Sequence, residues 1–292
     1  GNTGAHLLSH RSRGLFTRAA MESGPPGAVW TSQTLSRANA RLTNLATNAG
    51  CGGSSSSGDD LAACLRSKNT TQIMVADHNL GTGAFPGLID WSVVVDGVEF
   101  TDQLYNLLEQ GGDNLAPVPV LIGSNRDEGS TFTHLSLTGN QTDYVTWLNQ
   151  TLGASVTQID QILQLYPSSR FLRTPYASPS WWASSAVLGD YALSCPSQRV
   201  AKYVHANGHE AFLYFFDKKL ALINAIEAAD KKPLGVCHGS ELVLVFGQDE
   251  LLLDKAEREL SAQVQAYWSN FARYGNPNSP LGPKRPRQNG SA

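Results

Sequence analysis

The sequence lacks several features that would narrow its chemistry at once. No run approaches the roughly 18 apolar residues that a membrane-spanning helix needs, which leaves contact with a membrane surface open. There is no basic stripe. Lys and Arg number 22 against 25 Asp and Glu, with net charge −3 and pI near 6.2, which argues against a nucleic-acid partner. Charge is sparse at 16%, while apolar residues reach 41%, the balance of an ordinary globular chain. The 4 cysteines show no metal-ligand spacing, so zinc is not expected. No internal repeat is visible, which argues against a solenoid. An initiator Met and a leader are also missing, and this excludes nothing if the chain begins in mid-protein. At 292 residues the chain is one large domain or two smaller ones.

What is present centres on Pro233 to Gly247, PLGVCHGSELVLVFG. One histidine, His238, stands between turn-forming glycines, Gly235 and Gly239, ahead of an apolar run. Imidazole both accepts and donates a proton near neutral pH, and glycines permit a tight loop that presents the ring. A lone loop histidine is more often merely solvated, so a second stretch matters. VPVLIGSNRDEGSTF, Val118 to Phe132, is an apolar strand-like run ending in a turn that carries Asp127 and Glu128. An acid at a strand end, followed much later by a histidine, is the second half of the order Ser…Asp/Glu…His.

The coarse reading alternates strands and helices. Val93 to Val95, Val118 to Ile122 and Ala211 to Phe216 read as buried strands. Helical spacing runs through Thr34 to Ala49, Tyr105 to Glu109, Tyr144 to Tyr166, Trp181 to Val204 and Leu251 to Arg273. This pattern gives an α/β class with a mostly parallel sheet flanked by helices. Asp96-Gly97 is a turn signal, and Asp96 is read as structural. His205 and His209 flank the Asn207-Gly208 turn and are read as solvated.

Together these stretches resemble the type B carboxylesterase and cholinesterase family of α/β hydrolases. HLLSHRSRGLFTRAAMESG (His6 to Gly24) resembles the helix and strand just after that family's nucleophile elbow. VVVDGVEF (Val93 to Phe100) and AYWSNFARYGNPN (Ala266 to Asn278) resemble later segments, in the same order. The resemblance implies the C-terminal part of an α/β-hydrolase domain over residues 1–278, without the N-terminal strands and the nucleophile elbow. Residues 279–292, with Lys284, Arg285 and Arg287, read as a flexible or divergent tail. The elbow's G-x-S-x-G occurs nowhere in the chain, and the resemblance puts its serine about four residues before Gly1. Ser9, Ser12 and Ser23 are poor substitutes, since none sits in a Gly-flanked strand-to-helix turn.

By the same resemblance His238 is the general base and Glu128 the acid that orients it, with Asp127 the rival acid and Glu241 a supporting charge. The implied activity is hydrolysis of a small-molecule carboxylic ester by a serine acyl-enzyme route in the parent protein, with this chain alone inactive. No cofactor or metal is implied. The competing class is a non-catalytic, cholinesterase-like adhesion domain. Aligned on Asp96-Gly97, the cholinesterase acyl-pocket aromatics fall on Gly87 and Ile89, and a choline-site aromatic falls on Thr131 beside Phe132. Loss of those rings favours a general carboxylesterase.

The Gly/Ser-rich loop between Cys51 and Cys64 cannot order itself by packing. A disulfide closing it is the reading that the resemblance supports, and free thiols are the alternative. Cys195 and Cys237 pair, stay free, or, for Cys195, bridge outside this chain. The sequons at Asn69, Asn140, Asn149 and Asn289, with that bridge, point to an extracellular or secretory-route protein. Homo-oligomerisation is left open.

Overall fold

Among the described residues the chain builds two small parallel sheets with helices packed around them. The computed structural model describes residues 1–52, 58–78, 91–171 and 175–278, so the 279–292 tail and Asn289, Gly87 and Ile89 lie outside the described residues. The strands are β1 (Ala19–Glu22), β2 (Ser32–Thr34), β3 (Val93–Val95), β4 (Val120–Asn125) and β5 (Ala211–Phe216). One sheet has the order β1-β4-β5 and the other pairs β2 with β3, every pairing parallel. This is the α/β class that the alternating pattern indicates.

β4 is the spine. Val120 lies opposite Ala19 on one side and Ala211 on the other, and every residue of β4 is buried. A strand covered by neighbours and by both faces reads as a continuous apolar run. Pro119 has no N–H for the ladder, so regular pairing begins one residue after it.

Two of the expected buried strands differ. β3 is only half-buried, because its sheet has a single partner strand and gives little cover. β5 is an edge strand among the described residues, with Leu213 52% and Phe215 61% exposed. AFLYFF is apolar throughout and so carries no alternation from which an open face could be read.

The helices follow from their caps. α1 (Asn2–Leu8) leads toward β1 and buries Ala5, Leu7 and Leu8. α2 (Leu35–Asn48) starts where Thr34 accepts the Arg37 N–H, and only its C-terminal half is buried, at Leu45 and Ala46. α3 (Gly58–Ser67) and α4 (Thr70–His78) follow, then α5 (Leu104–Gln110). The helical stretch from Tyr144 to Tyr166 is two helices, α6 (Gln141–Leu152) and α7 (Val156–Leu165). Gly153 takes the left-handed C-cap with φ 64°, and Ser155 and Gln158 form a capping box that starts the next helix.

α8 (Pro179–Gly189) and α9 (Cys195–Ala206) are continuous through a π-turn at Asp190–Ser194. Pro196 denies an amide to that turn, and the wider π geometry accommodates its ring. α10 (Ala221–Asp230), the short α11 (Leu242–Val245) and α12 (Lys255–Tyr274) follow. α12 begins later than its apolar spacing implies, since Asp254 caps it by accepting the Glu257 N–H at 2.7 Å.

The main core joins α1, β1, α5, β4 and α9 through Leu7, Leu8, Met21, Leu104, Leu108, Val120, Ile122, Val200 and Val204. A second cluster lies between α6 and α8, around Tyr144, Leu148, Ala183 and Leu188. α12 closes β5, with Phe271 on Phe212 at 6.1 Å and Trp268 on Tyr214 at 5.0 Å.

Cys51, after α2, is bonded to Cys64 in α3, with Cα atoms 5.7 Å apart. Closing a loop of this size removes unfolded-state entropy worth about 3 kcal/mol. Replacing both cysteines by serine should therefore lower unfolding free energy by about that amount in urea melts. An unchanged midpoint would show that helix packing alone holds this region.

Candidate active site

The site is assembled where β1, β4 and the loop after α10 meet. Beyond Asn125 at the end of β4, Arg126 and Asp127 turn the chain into a short 3₁₀ segment, Glu128–Thr131. Gly129 makes this turn possible, because a Cβ there would lie 2.0 Å from the Ser185 carbonyl of α8. The turn therefore rests directly on a helix backbone and drives Glu128 inward, where it is 1% exposed.

A buried carboxylate needs partners on both oxygens. Oε1 accepts the Asn125 N–H at 2.6 Å and the Ser23 hydroxyl, and Oε2 meets His238 Nδ1 at 2.7 Å. His238 is brought there by the loop 233–239. Gly235, with φ +65°, lies so close to Asp127 that a Cβ would meet its Oδ2 at 2.4 Å.

The imidazole keeps 36% of its side-chain surface exposed and packs on Phe132, ring centroids 5.1 Å apart. It opens onto a cavity of about 560 Å³, lined chiefly by Trp30, Trp91, Phe132, Leu193, Ser23 and Glu22. An apolar, aromatic recess with a few convergent polar groups is the usual form of a small-molecule site.

Asp127 does not meet the histidine. Its Oδ2 accepts the Val236 N–H at 2.8 Å and Arg126 Nε at 3.0 Å, which ties the acid turn to the histidine loop. Glu241 is 2% exposed and accepts from Asn125 Nδ2 and from the Tyr214 hydroxyl at 3.3 Å. Burial pushes its carboxyl above the usual range, with the charges of Glu128 and Glu22 adding to this.

The serines also find places. Ser9 and Ser12 are engaged at the end of α1, with Glu99 and with His6. Ser23 is 3% exposed, adopts φ +50°, and donates to Glu128. Strain at a non-glycine residue of this kind persists only where surrounding structure holds it.

Sequence reasoning missed Ser23 as a partner of the acid, and it missed Asn125, whose side-chain amide donates to the Cys237 carbonyl at 2.9 Å as well as to Glu241. It also missed Glu22, which accepts from Trp268 Nε1 at 2.8 Å and whose carboxyl is raised by burial. Glu22 ends β1 and Ser23 follows it, but only the β1–β4 register, Glu22 opposite Gly123, sets them beside the acid turn.

Among the described residues, no group of three His, Cys, Asp or Glu is placed to hold a metal ion. Cys195 is exposed and Cys237 buried, both as free thiols. Thr131 is exposed beside Phe132. The sequon residues Asn69, Asn140 and Asn149 are exposed, and the first two cap helices by accepting backbone amides.

With this geometry in view, comparison with known proteins is decisive. The sequence profile of the carboxylesterase family matches residues 2–290. The chain belongs to the carboxylesterase family. It is similar to the "Crystal protein" of Dictyostelium discoideum, 31% identical over 296 residues, covering 97% of this chain and 50% of that protein. It is also similar to the acetylcholinesterase of Bungarus fasciatus, 30% identical over 295 residues, covering 96% of this chain and 46% of that enzyme. The chain thus spans about half the length of the curated relatives it matches.

The electrostatics of this carboxylesterase-family site give a measurable consequence. Burial alone disfavours the imidazolium, but the bond to Glu128 and the charges of Glu128 and Glu241 outweigh it. His238 is held above its ordinary value of 6.5. A ring that binds its proton more tightly when folded stabilises the native state below its unfolded pKa of about 6.5, and loses that contribution as pH rises through the folded value. The stability advantage of wild type over Glu128→Gln should therefore shrink as pH rises above about 6.5. An advantage that stays level with pH in urea melts would show that the pair is not ionised.

Proposed function

We propose that this chain carries the acid–base half of a serine carboxylic ester hydrolase. The observation that carries the reading is the Glu128–His238 contact of 2.7 Å, with the ring opening onto the aromatic cavity. In this reading His238 takes the proton of a serine hydroxyl as it attacks the ester carbonyl. It then returns that proton to the leaving alcohol, and repeats the cycle with water to release the acid. Glu128 fixes the ring tautomer through Nδ1 and stabilises the imidazolium, and Ser23 and the Asn125 amide hold Glu128 in place. Because the imidazole must be neutral to act as base, the acid limb of turnover lies above the ordinary imidazole range.

The nucleophile is not among these residues, since no G-x-S-x-G elbow occurs in the sequence. A serine in the longer protein would occupy the mouth of the cavity beside His238. The 292-residue chain alone is accordingly inactive, and it folds poorly, because β1 has an unpaired edge among the described residues. A general ester, rather than one bearing a quaternary ammonium, is the favoured substrate, a reading that rests on the alignment of Thr131 with the choline-site aromatic, with Phe132 adjacent. Disulfide-linked Cys51 and Cys64, with exposed sequons at Asn69, Asn140 and Asn149, support passage through the secretory route.

The test compares the 292-residue chain with the longest reading frame that carries it, each assayed on a p-nitrophenyl ester. The longer protein should turn over, and His238→Ala or Glu128→Gln should reduce kcat by about 10²–10⁴-fold. Esterase activity in the short chain, lost with His238→Ala, would show that the nucleophile lies within it. A longer protein that melts cooperatively but never turns over would favour a non-catalytic adhesion domain.

A further inference from the structure

α10 buries a single residue, and that residue is charged. Glu227 is 3% exposed, on a helix whose other residues are all at least partly open to solvent. Glutamate is rarely buried unless its oxygens are fully engaged. Here Oε1 accepts two consecutive backbone amides, Leu234 N–H at 2.7 Å and Gly235 N–H at 2.6 Å. Oε2 is paired with Lys219 Nζ, which neutralises the charge.

These amides belong to the approach to His238. The next amide along, Val236 N–H, goes to Asp127 Oδ2 at 2.8 Å. On the carbonyl side, the Ser130 hydroxyl donates to Leu234 at 2.6 Å, the Asp127 N–H to Val236 at 2.9 Å and the Asn125 amide to Cys237 at 2.9 Å. The loop has no helix or strand ladder of its own here, so side chains from three directions fix its path. Adjacent N–H groups pointing the same way form an anion-binding concavity. Charge-assisted bonds to a carboxylate are roughly twice as strong as neutral ones.

We propose that Glu227 is a positioning residue that sets the loop so that His238 Nδ1 meets Glu128. The proposal rests on reading His238 and Glu128 as the acid–base pair. Glu227 touches neither of them. It acts through the backbone of Leu234 and Gly235, and Lys219 is the cation that faces it. A catalytic group displaced by about 1 Å loses up to about 10² in rate, so a loop whose path is fixed by bonds from other segments is sensitive to losing two of them.

The experiment uses the longest reading frame that carries this chain, with the histidine rings carbon-13 labelled. The His238 signal is identified by its loss in His238→Gln, and its titration is followed by NMR. In wild type it should titrate above the ordinary imidazole value, through its bond to Glu128. Glu227→Ala should move this titration down toward about 6.5 and lower kcat about tenfold to a hundredfold with KM little changed. Glu227→Gln keeps an acceptor oxygen for the two amides and should restore both. Should the alanine variant fail to fold, Glu227→Asp withdraws the carboxylate by one methylene and should shift the titration in the same direction.

A Glu227→Ala or Glu227→Asp protein that melts lower but leaves the His238 titration unmoved would overturn the proposal, because Glu227 would then serve stability alone. Failure of the esterase reading has a different signature. The titration would respond as expected, yet no ester would be turned over in any form.

Discussion

A carboxylate sealed beneath the end of β4 sets the terms for everything around it. Glu128 at 1% exposure can remain only if each oxygen is satisfied, since an unpaired buried charge costs more than most folds can absorb. Its own strand supplies one donor, the Asn125 amide. The residue just past the neighbouring strand supplies another, the Ser23 hydroxyl. The last comes from a loop 110 residues away in sequence, the His238 ring. Removing any of these leaves the acid short of a partner, so sheet register, turn geometry and loop position are coupled through one group.

Further carboxylates crowd the same region, and the polar network explains how they coexist. Glu22 takes the Trp268 indole N–H, Glu241 takes the Asn125 side-chain amide and the Tyr214 hydroxyl, and Asp127 takes the Val236 amide. Burial beside these acids drives the Tyr214 phenol far above its ordinary range, which keeps it a hydrogen-bond donor. Glu128 and Glu241 concentrate negative potential on the His238 ring, and burial leaves Glu22 and Glu241 harder to ionise. Such an arrangement favours the imidazolium form of His238.

The same architecture leaves apolar surface open. Leu213 and Phe215 on β5 stand largely in solvent, and β1 has β4 on one side only among the described residues. Among the described residues, these edges present unpaired N–H and C=O groups.

The sequence by itself determined the α/β class, the buried strand that became β4, the acid turn and the histidine loop, because each is written in local chemistry. A short apolar run, a Gly-bounded turn and a pair of glycines around His238 signal their structures within a few residues. The break between α6 and α7 went unread, because the apolar spacing from Tyr144 to Tyr166 runs on across Gly153 and the Ser155–Gln158 capping box. The exposure of β5 was not legible either, since AFLYFF is uniformly apolar and only the sheet order makes it an edge. Tertiary structure alone decided that Ser23 and Asn125 meet Glu128 and the histidine loop, and that Glu227 binds the amides of Leu234 and Gly235. Serine beyond a strand, asparagine at a strand end and glutamate on a helix are commonplace in sequence. Their meaning comes from parallel pairing and loop packing, which bring groups about a hundred residues apart within hydrogen-bond reach.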